Sequence, residues 1–135
     1  LPETGSLPRG KEEILLVDDE PSIVDVQKRS LEKLGYKITA MTDSTEALKE
    51  FEAFPERYDL VVTDMAMPKM AGDQLAGKVK EIRSKIPVIL CTGFSERFSE
   101  SQSRDLGIQR YIYKPVPADQ LAEVVREVLD ESVTA

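Results

Sequence analysis

Four short apolar runs in this 135-residue chain each end in polar residues that could handle a phosphoryl group. The residues at these ends are Asp18 with Asp19, then Asp64, Thr92 and Lys114. In an open parallel α/β sheet the ligand crevice lies outside the carboxyl ends of the strands, so residues that end different strands converge in space. The sequence therefore predicts three carboxylates, a hydroxyl and an ammonium facing one another.

The charge of such a cluster indicates its chemistry. Three carboxylates held a few ångströms apart repel one another by several kcal/mol at an effective dielectric of about 20, and a divalent cation removes that repulsion. Mg²⁺ is favoured over Ca²⁺ because it takes few protein carboxylates and completes its octahedron with waters and phosphate oxygens. Asp64 stands alone at its strand end and is the predicted nucleophile towards phosphorus, with Asp18 and Asp19 as metal ligands.

Four motifs surround these residues in a definite order. They are ILLVDDEP (14–21), DLVVTDMAMPKMAG (59–72), VILCTG (88–93) and YIYKP (111–115). In this order and spacing they resemble the receiver domain of two-component response regulators. Each motif alone is weak, but four of them in register at strand ends are specific. The resemblance implies a receiver domain over residues 11–131, a linker or cloning remnant over 1–10, and a tail over 132–135.

The resemblance also implies roles for individual residues. Asp64 would be the phospho-acceptor, and Mg²⁺ would be bound by Asp19, Asp64 and the backbone carbonyl of Ala66. Asp18 would act on the metal largely through water. Lys114 would bind the phosphoryl oxygens. The small apolar Ala66 cannot position a hydrolytic water by hydrogen bonding, and neither can the ring of Phe94, so we predict slow self-dephosphorylation.

Two further residues match the switch of that family. Thr92 would be the switch hydroxyl, and Tyr111 the aromatic residue whose rotamer reports phosphorylation. From the residues alone, Thr92 could instead satisfy a backbone group, and Tyr111 could simply pack against helices. Gly93 favours a phosphate contact beside Thr92, because a residue without a side chain lets the backbone N–H approach a ligand closely.

Strands and helices alternate along the chain in the way that such a site requires. The predicted strands are Glu13–Val17, Tyr36–Met41, Tyr58–Thr63, Pro87–Cys91 and Arg110–Tyr113. Five strands that alternate with five helical patterns predict an α/β fold, a flavodoxin-like (βα)5 doubly wound parallel sheet with strand order 2-1-3-4-5.

The helical patterns carry their own start and stop signals. Pro21 suits the first turn of a helix, although Asp18 and Asp19 could then serve only to cap that helix. Phe54 and Ile82 are expected to point inward from the second and third helices. The fourth pattern, about 96–106, offers little to a core and should be loosely held, either as part of a switch or as a plain solvated helix.

Composition limits the possible functions. The chain has a net charge of −7, which disfavours contact with nucleic acid or anionic membranes, and 41% hydrophobic residues, enough for one domain. It contains no histidine, so a phospho-donor histidine must lie in another domain or chain. The single Cys91 lies in an apolar run, which indicates a buried thiol in a reducing compartment. Together with the resemblance to receiver domains, this implies a cytoplasmic bacterial domain, whose parent kinase could be membrane-anchored.

The expected function is acceptance of a phosphoryl group from a histidine kinase, with a histidine phosphotransfer protein as a possible downstream partner. The domain would catalyse its own phosphorylation and dephosphorylation without being a conventional enzyme. Residues 1–10 contain LPETG, a sortase pattern whose position argues against sorting. We favour the C-terminal receiver of a hybrid kinase over a free-standing response regulator. A haloacid-dehalogenase-like phosphatase, with Glu20 two residues after Asp18, and a flavin binder are the remaining alternatives.

Overall fold

A computed structural model describes residues 7–93 and 107–134 of the chain, with side chains as far as Ser132. The five strands are β1 (Glu13–Val17), β2 (Lys37–Met41), β3 (Leu60–Asp64), β4 (Val88–Thr92) and β5 (Arg110–Tyr113). The helices in these ranges are α1 (Pro21–Lys33), α2 (Ser44–Ala53), α3 (Gly72–Ile82) and the C-terminal helix α4 (Ala118–Thr134). The fourth helical pattern predicted over 96–106 lies outside the described residues.

The sheet is parallel throughout, with strand order β2-β1-β3-β4-β5, which confirms the predicted flavodoxin-like topology. Residue pairs along the central strands bring the ends of four strands to one edge: Val17 pairs with Thr63, Asp64 with Cys91 and Thr92 with Tyr113. The predicted strand bounds differ from the observed ones by two residues at most. Asp64 and Thr92 are thus the last residues of their strands.

Two apolar layers enclose the sheet. Alternate residues of each inner strand point to opposite faces, so Ile14 and Leu16 of β1 pack with α1 and α4, whereas Leu15 and Val17 pack with α2 and α3. Most side chains of β3 and β4 are fully buried because both faces of the sheet are covered by helices. Because the strands are packed on both faces, their carboxyl ends hold the polar residues in fixed positions.

Two predicted inward residues are exposed. Phe54 is 51% exposed because it caps α2 with non-helical backbone angles and so leaves the buried stripe that contains Phe51. Ile82 is 40% exposed as the final residue of α3, one turn beyond the buried Val79. The inward prediction was therefore wrong at both helix ends, where the chain turns away from the sheet.

The segment before β1 contacts the rest of the fold. Leu7 packs against the α1 and α4 layer, and the Gly10 amide donates to the carbonyl of Leu34 at 3.1 Å. The guanidinium of Arg126 on α4 donates to the carbonyl of Arg9 at 3.2 Å and to both carboxylate oxygens of Glu12. In the described part of the chain, none of the helices combines the length and the apolar character needed to cross a membrane.

Candidate phosphoryl-acceptor site

The carboxyl edge of the sheet collects the polar residues expected there. Asp18, Asp64 and Thr92 are 2%, 4% and 1% exposed, so they lie at the bottom of the site and not on its rim. Asp19 is half-buried, and the side chain of Lys114 is 24% exposed. Buried carboxylates are costly unless they are paired or coordinate a cation, so this edge is built to hold positive charge.

Lys114 supplies one such charge. Its Nζ atom lies 2.8 Å from Oδ1 of Asp64 and 3.3 Å from Oδ2 of Asp18. Burial alone would lower the pKa of Lys114, but the hydrogen bond to Asp64 and the charge of Asp18 outweigh it and raise that pKa. The lysine is held as an ammonium between two carboxylates, where it can also meet the oxygens of a phosphoryl group. The peptide bond between Lys114 and Pro115 is cis.

The three carboxylates lie close enough together to share one metal ion. One oxygen from each of Asp18, Asp19 and Asp64 lies within 4.8 Å of the others. An all-oxygen donor set with few carboxylates suits Mg²⁺, which keeps several waters and binds phosphate oxygens. One ammonium cannot neutralise three carboxylates, so the residues present fit a divalent cation in both charge and donor type.

The two aspartates after β1 do not act as side-chain caps of α1. The N-cap position is occupied by Glu20, and no side chain caps this helix end. Oδ1 of Asp18 instead accepts from the amide of Glu20 at 3.0 Å, which fixes the turn, while its Oδ2 faces Lys114. The capping alternative considered for this pair is not observed.

The loop after β3 returns closely onto the strand end. Ala66 is exposed in this loop, and the amide of Gly72 donates to the carbonyl of Met65 at 2.8 Å. A Cβ atom at Gly72 would lie 2.0 Å from the carbonyl oxygen of Asp64, so only glycine allows this return. The backbone of the loop is therefore pressed against the residue predicted to accept the phosphoryl group.

The two predicted switch residues lie on neighbouring strands. Thr92 is buried at the end of β4, and its hydroxyl donates to the carbonyl of Gly93 at 3.4 Å. The ring of Tyr111 is half-buried on the α3 side of the sheet and meets Tyr113 edge to face, with centroids 5.6 Å apart. Tyr113 is 45% exposed. The structure thus places Thr92 at the carboxyl end of β4, within the site, and Tyr111 on the neighbouring edge strand β5.

Cys91 is inert in this arrangement. The thiol is buried beside the site, and burial raises its pKa to about 12. A protonated, shielded thiol is a poor nucleophile. Its contribution is packing within the α1 and α4 layer.

Sequence reasoning did not identify a groove beside the site. The groove encloses about 580 Å³ and opens next to Lys114. Its other lining residues are Ser22, Ile23, Val26, Gln27, Pro115 and Val116. Val26 is 61% exposed, and the only sequence signal for the groove was an apolar residue outside the inward stripe of α1. The groove thus places apolar side chains of α1 and of the loop after β5 next to Lys114.

Together, the doubly wound fold and the acidic edge define a phospho-acceptor switch class of α/β domain. The family model of the response regulator receiver domain matches residues 14–126, and the chain belongs to that family. Receiver domains in general bind Mg²⁺ and interact with histidine kinases. The family assignment favours phospho-acceptance over a phosphatase or a flavin binder.

Several known proteins are similar. The alkaline phosphatase synthesis transcriptional regulatory protein PhoP of Bacillus subtilis is 33% identical over 122 residues, which cover 90% of this chain and 50% of PhoP. The sensory transduction protein RegX3 of Mycobacterium tuberculosis is 33% identical, covering 86% of this chain and 50% of RegX3. The chain thus spans about half the length of these relatives.

Solved structures agree with this relationship. A response regulator receiver domain protein from Clostridium thermocellum has a TM-score of 0.86 at 30% identity, covering 91% of this chain and 98% of that one. A CheY-like receiver domain protein from Methanospirillum hungatei has a TM-score of 0.85 at 32% identity, covering 93% and 98%. Both matches span nearly the whole receiver fold.

Proposed function

We propose that Asp64 accepts a phosphoryl group from a phosphohistidine of a histidine kinase. The observation that carries this proposal is the ammonium of Lys114 between the carboxylates of Asp64 and Asp18, at 2.8 and 3.3 Å. A lysine so placed can bind a phosphoryl oxygen and keep the acceptor oxygen facing the donor. Asp19 completes the acidic cluster around the acceptor.

The reaction is an exchange of bonds to phosphorus. A carboxylate oxygen of Asp64 forms a P–O bond as the P–N bond of the phosphohistidine breaks, and the electron pair of that bond leaves with the imidazole. Lys114 binds the equatorial oxygens, where transition-state charge is spread. Mg²⁺, held by Asp18, Asp19, Asp64 and the carbonyl of Ala66, would neutralise charge on the phosphoryl oxygens.

The groove between α1 and the loop after β5 supports a helical donor. An amphipathic helix could place apolar side chains against Ile23, Val26 and Val116 and present its histidine at the acceptor. The same contact would suit a downstream histidine phosphotransfer protein. No contact of this domain with nucleic acid or membrane is proposed, in keeping with its net charge of −7.

The response is proposed to leave the site through Thr92 and Tyr111. A phosphoryl dianion at Asp64 would draw the hydroxyl of Thr92 towards it, and the space vacated would admit the ring of Tyr111. The partner surface would then change around β5 and α4. The fourth helical pattern, about 96–106, would belong to the same surface, and it lies outside the described residues.

The decisive experiment is intact-mass measurement after incubation with acetyl phosphate and Mg²⁺. We expect a single phosphoryl adduct that EDTA prevents and that Asp64→Ala abolishes. The matched control is Asp25→Ala, which removes an exposed carboxylate of α1 that pairs with Arg29 on the same helix. Equal labelling of the wild type and Asp64→Ala would contradict the proposal.

The parent protein is a separate part of the proposal. We propose that the domain belongs to a hybrid kinase and lies in the cytoplasm, whereas the relatives PhoP and RegX3 are named as a transcriptional regulator and a sensory transduction protein. An antibody against this domain, used on cell extract, would isolate the parent protein so that its size and activity can be measured. A large protein that labels itself from ATP on histidine supports the hybrid kinase. A small protein indicates a free-standing regulator, and a DNA-binding one indicates a transcription factor.

A further inference from the structure

The loop that follows Asp64 is tied to a neighbouring helix by one ion pair. Nζ of Lys69 lies 2.8 Å from Oδ2 of Asp43, the N-cap residue of α2. The hydroxyl of Ser44 adds a weaker contact to the carbonyl of Pro68 at 3.4 Å. Both contacts cross from α2 to the loop that carries Ala66.

The two carboxylate oxygens of Asp43 make different contacts. Oδ1 accepts from the amides of Thr45 and Glu46 at 2.8 and 3.2 Å, and from the hydroxyl of Thr45 at 2.6 Å. Oδ2 is left for Lys69. The hydrogen bond from Lys69 is the largest reason that the pKa of Asp43 lies well below its usual value. The carboxylate therefore anchors the lysine on a helix end that it also fixes.

Lys69 adopts an unusual backbone conformation for this contact. Its φ is 71°, in the left-handed region that favours glycine or asparagine. The loop on either side is held by short bonds, with Met70 donating to Pro68 at 2.7 Å and Gly72 to Met65 at 2.8 Å. Lys69 is the one non-glycine residue with a positive φ among the described residues, and it is from this conformation that its side chain makes the ion pair with Asp43.

Global stability does not explain the pair. The side chains of Lys69 and Asp43 are 63% and 33% exposed, and exposed ion pairs contribute little to the free energy of unfolding. The position of the pair in the fold indicates its role better than its contribution to stability does. It holds the backbone three residues beyond Ala66, whose carbonyl is a proposed metal ligand.

We propose that Lys69 is a positioning residue. Its ion pair with Asp43, which we name the latch, holds the loop after β3 so that the Ala66 carbonyl faces the acidic cluster. This inference rests on the proposed function, because it concerns the Mg²⁺ site of the acceptor. The latch acts through the loop and not through its own charge at the metal.

Two substitutions distinguish an effect through the loop from a direct effect of charge, by the direction in which each changes the affinity for Mg²⁺. Lys69→Met removes a positive charge, which by Coulomb's law alone would tighten Mg²⁺ binding, whereas Asp43→Asn removes a negative charge and would weaken it. The latch predicts that both substitutions weaken binding, by about three- to tenfold. Because the two substitutions break the same contact, the double variant should bind Mg²⁺ no more weakly than the single variant with the lower affinity.

The experiment measures Mg²⁺ affinity by calorimetry and amide hydrogen exchange of metal-free protein over residues 65–72. Asn caps helices as well as Asp does, so Asp43→Asn should leave exchange in α2 unchanged while exchange in the loop rises. Lys49→Met, which removes an exposed lysine of α2 paired with Glu46, is the control and should change neither readout.

The outcomes are distinct. Faster loop exchange with weaker Mg²⁺ binding in both single variants supports the latch. Opposite effects on Mg²⁺ affinity, or unchanged loop exchange, would overturn it. If the wild type failed to bind Mg²⁺, the proposed function would fail, while loop exchange alone would still decide whether Lys69 and Asp43 hold the loop.

Discussion

The ammonium of Lys114 contacts the carboxylate of Asp64 at 2.8 Å, although 50 positions separate the two residues in the chain (114 − 64). The same ammonium reaches Asp18, which is 96 positions away. One cation thus bridges the ends of β1, β3 and β5. The fold itself holds the carboxylate of Asp64, the proposed acceptor, in place.

Replacing this lysine should expose the electrostatic cost of the site. In Lys114→Met, two buried carboxylates lose their ammonium, so the free energy of unfolding should fall by about 2–4 kcal/mol without metal. Mg²⁺ should recover most of that loss by neutralising the same carboxylates. Urea unfolding with and without Mg²⁺ measures both effects, with Lys78→Met on the exposed face of α3 as control. An equal loss in the two conditions would contradict the charge explanation.

The exposed side chain at Ala66 should set how long the phosphorylated state lasts. Ala66→Asn adds an amide beside the acceptor that can hydrogen bond to an attacking water, so we expect phosphoryl loss to accelerate by about tenfold. Loss of label from purified phosphoprotein, followed by intact mass, gives the rate. Ala53→Asn, at the far end of α2, is the control. Faster loss in the wild type than in Ala66→Asn would refute the prediction of slow self-dephosphorylation.

The close return of the loop should make Gly72 intolerant of any side chain. Gly72→Ala places a Cβ atom 2.0 Å from the Asp64 carbonyl oxygen, and the backbone shift needed should cost about 1–3 kcal/mol and slow labelling. Ala71→Ser is the neighbouring control. It provides the side-chain cap that α3 lacks and should stabilise by about 1 kcal/mol. Thermal unfolding tests both changes, and a neutral Gly72→Ala would mean that the loop adapts freely.

Acid should remove one contribution to stability at the opposite end of the sheet. Glu12 accepts from Arg126 at 2.7 Å, and this hydrogen bond lowers the pKa of Glu12 from its usual 4.5. A lowered carboxyl pKa stabilises the fold above the unfolded value and loses that effect as pH falls through the folded value. Glu12→Gln should therefore cost about 1–2 kcal/mol at pH 7, and the difference should shrink below pH 4.5. Urea titrations across this range check the slope, and a pH-independent difference would contradict it.

Truncation tests where the domain begins. A chain starting at Lys11 loses the apolar contact of Leu7, the Gly10 bond to Leu34 and the Arg126 bond to Arg9. We expect its free energy of unfolding to lie about 1–3 kcal/mol below that of a chain starting at Leu7. Urea unfolding compares the two chains. Equal stability of the two would place residues 7–10 in the linker predicted from sequence.

The sequence by itself determined the parallel sheet and the residues at the strand ends, and its resemblance to receiver domains supplied the strand order. Fully apolar runs mark buried parallel strands, and each acidic or basic residue that ends one must lie at the carboxyl edge. That reasoning located Asp18, Asp19, Asp64, Thr92 and Lys114 without coordinates. It failed at Phe54 and Ile82 because periodicity does not show where a helix leaves the sheet.

Only the tertiary structure decided how the site is held together. The pairing of Lys114 with two carboxylates, the ion pair between Lys69 and Asp43, and the groove beside α1 all join segments that are far apart in the chain. Nothing in the run PKM around Lys69 signals a left-handed backbone, since a lysine there looks like any surface lysine. Strand ends follow from local patterns, whereas contacts between loops depend on how the packed helices bring them together.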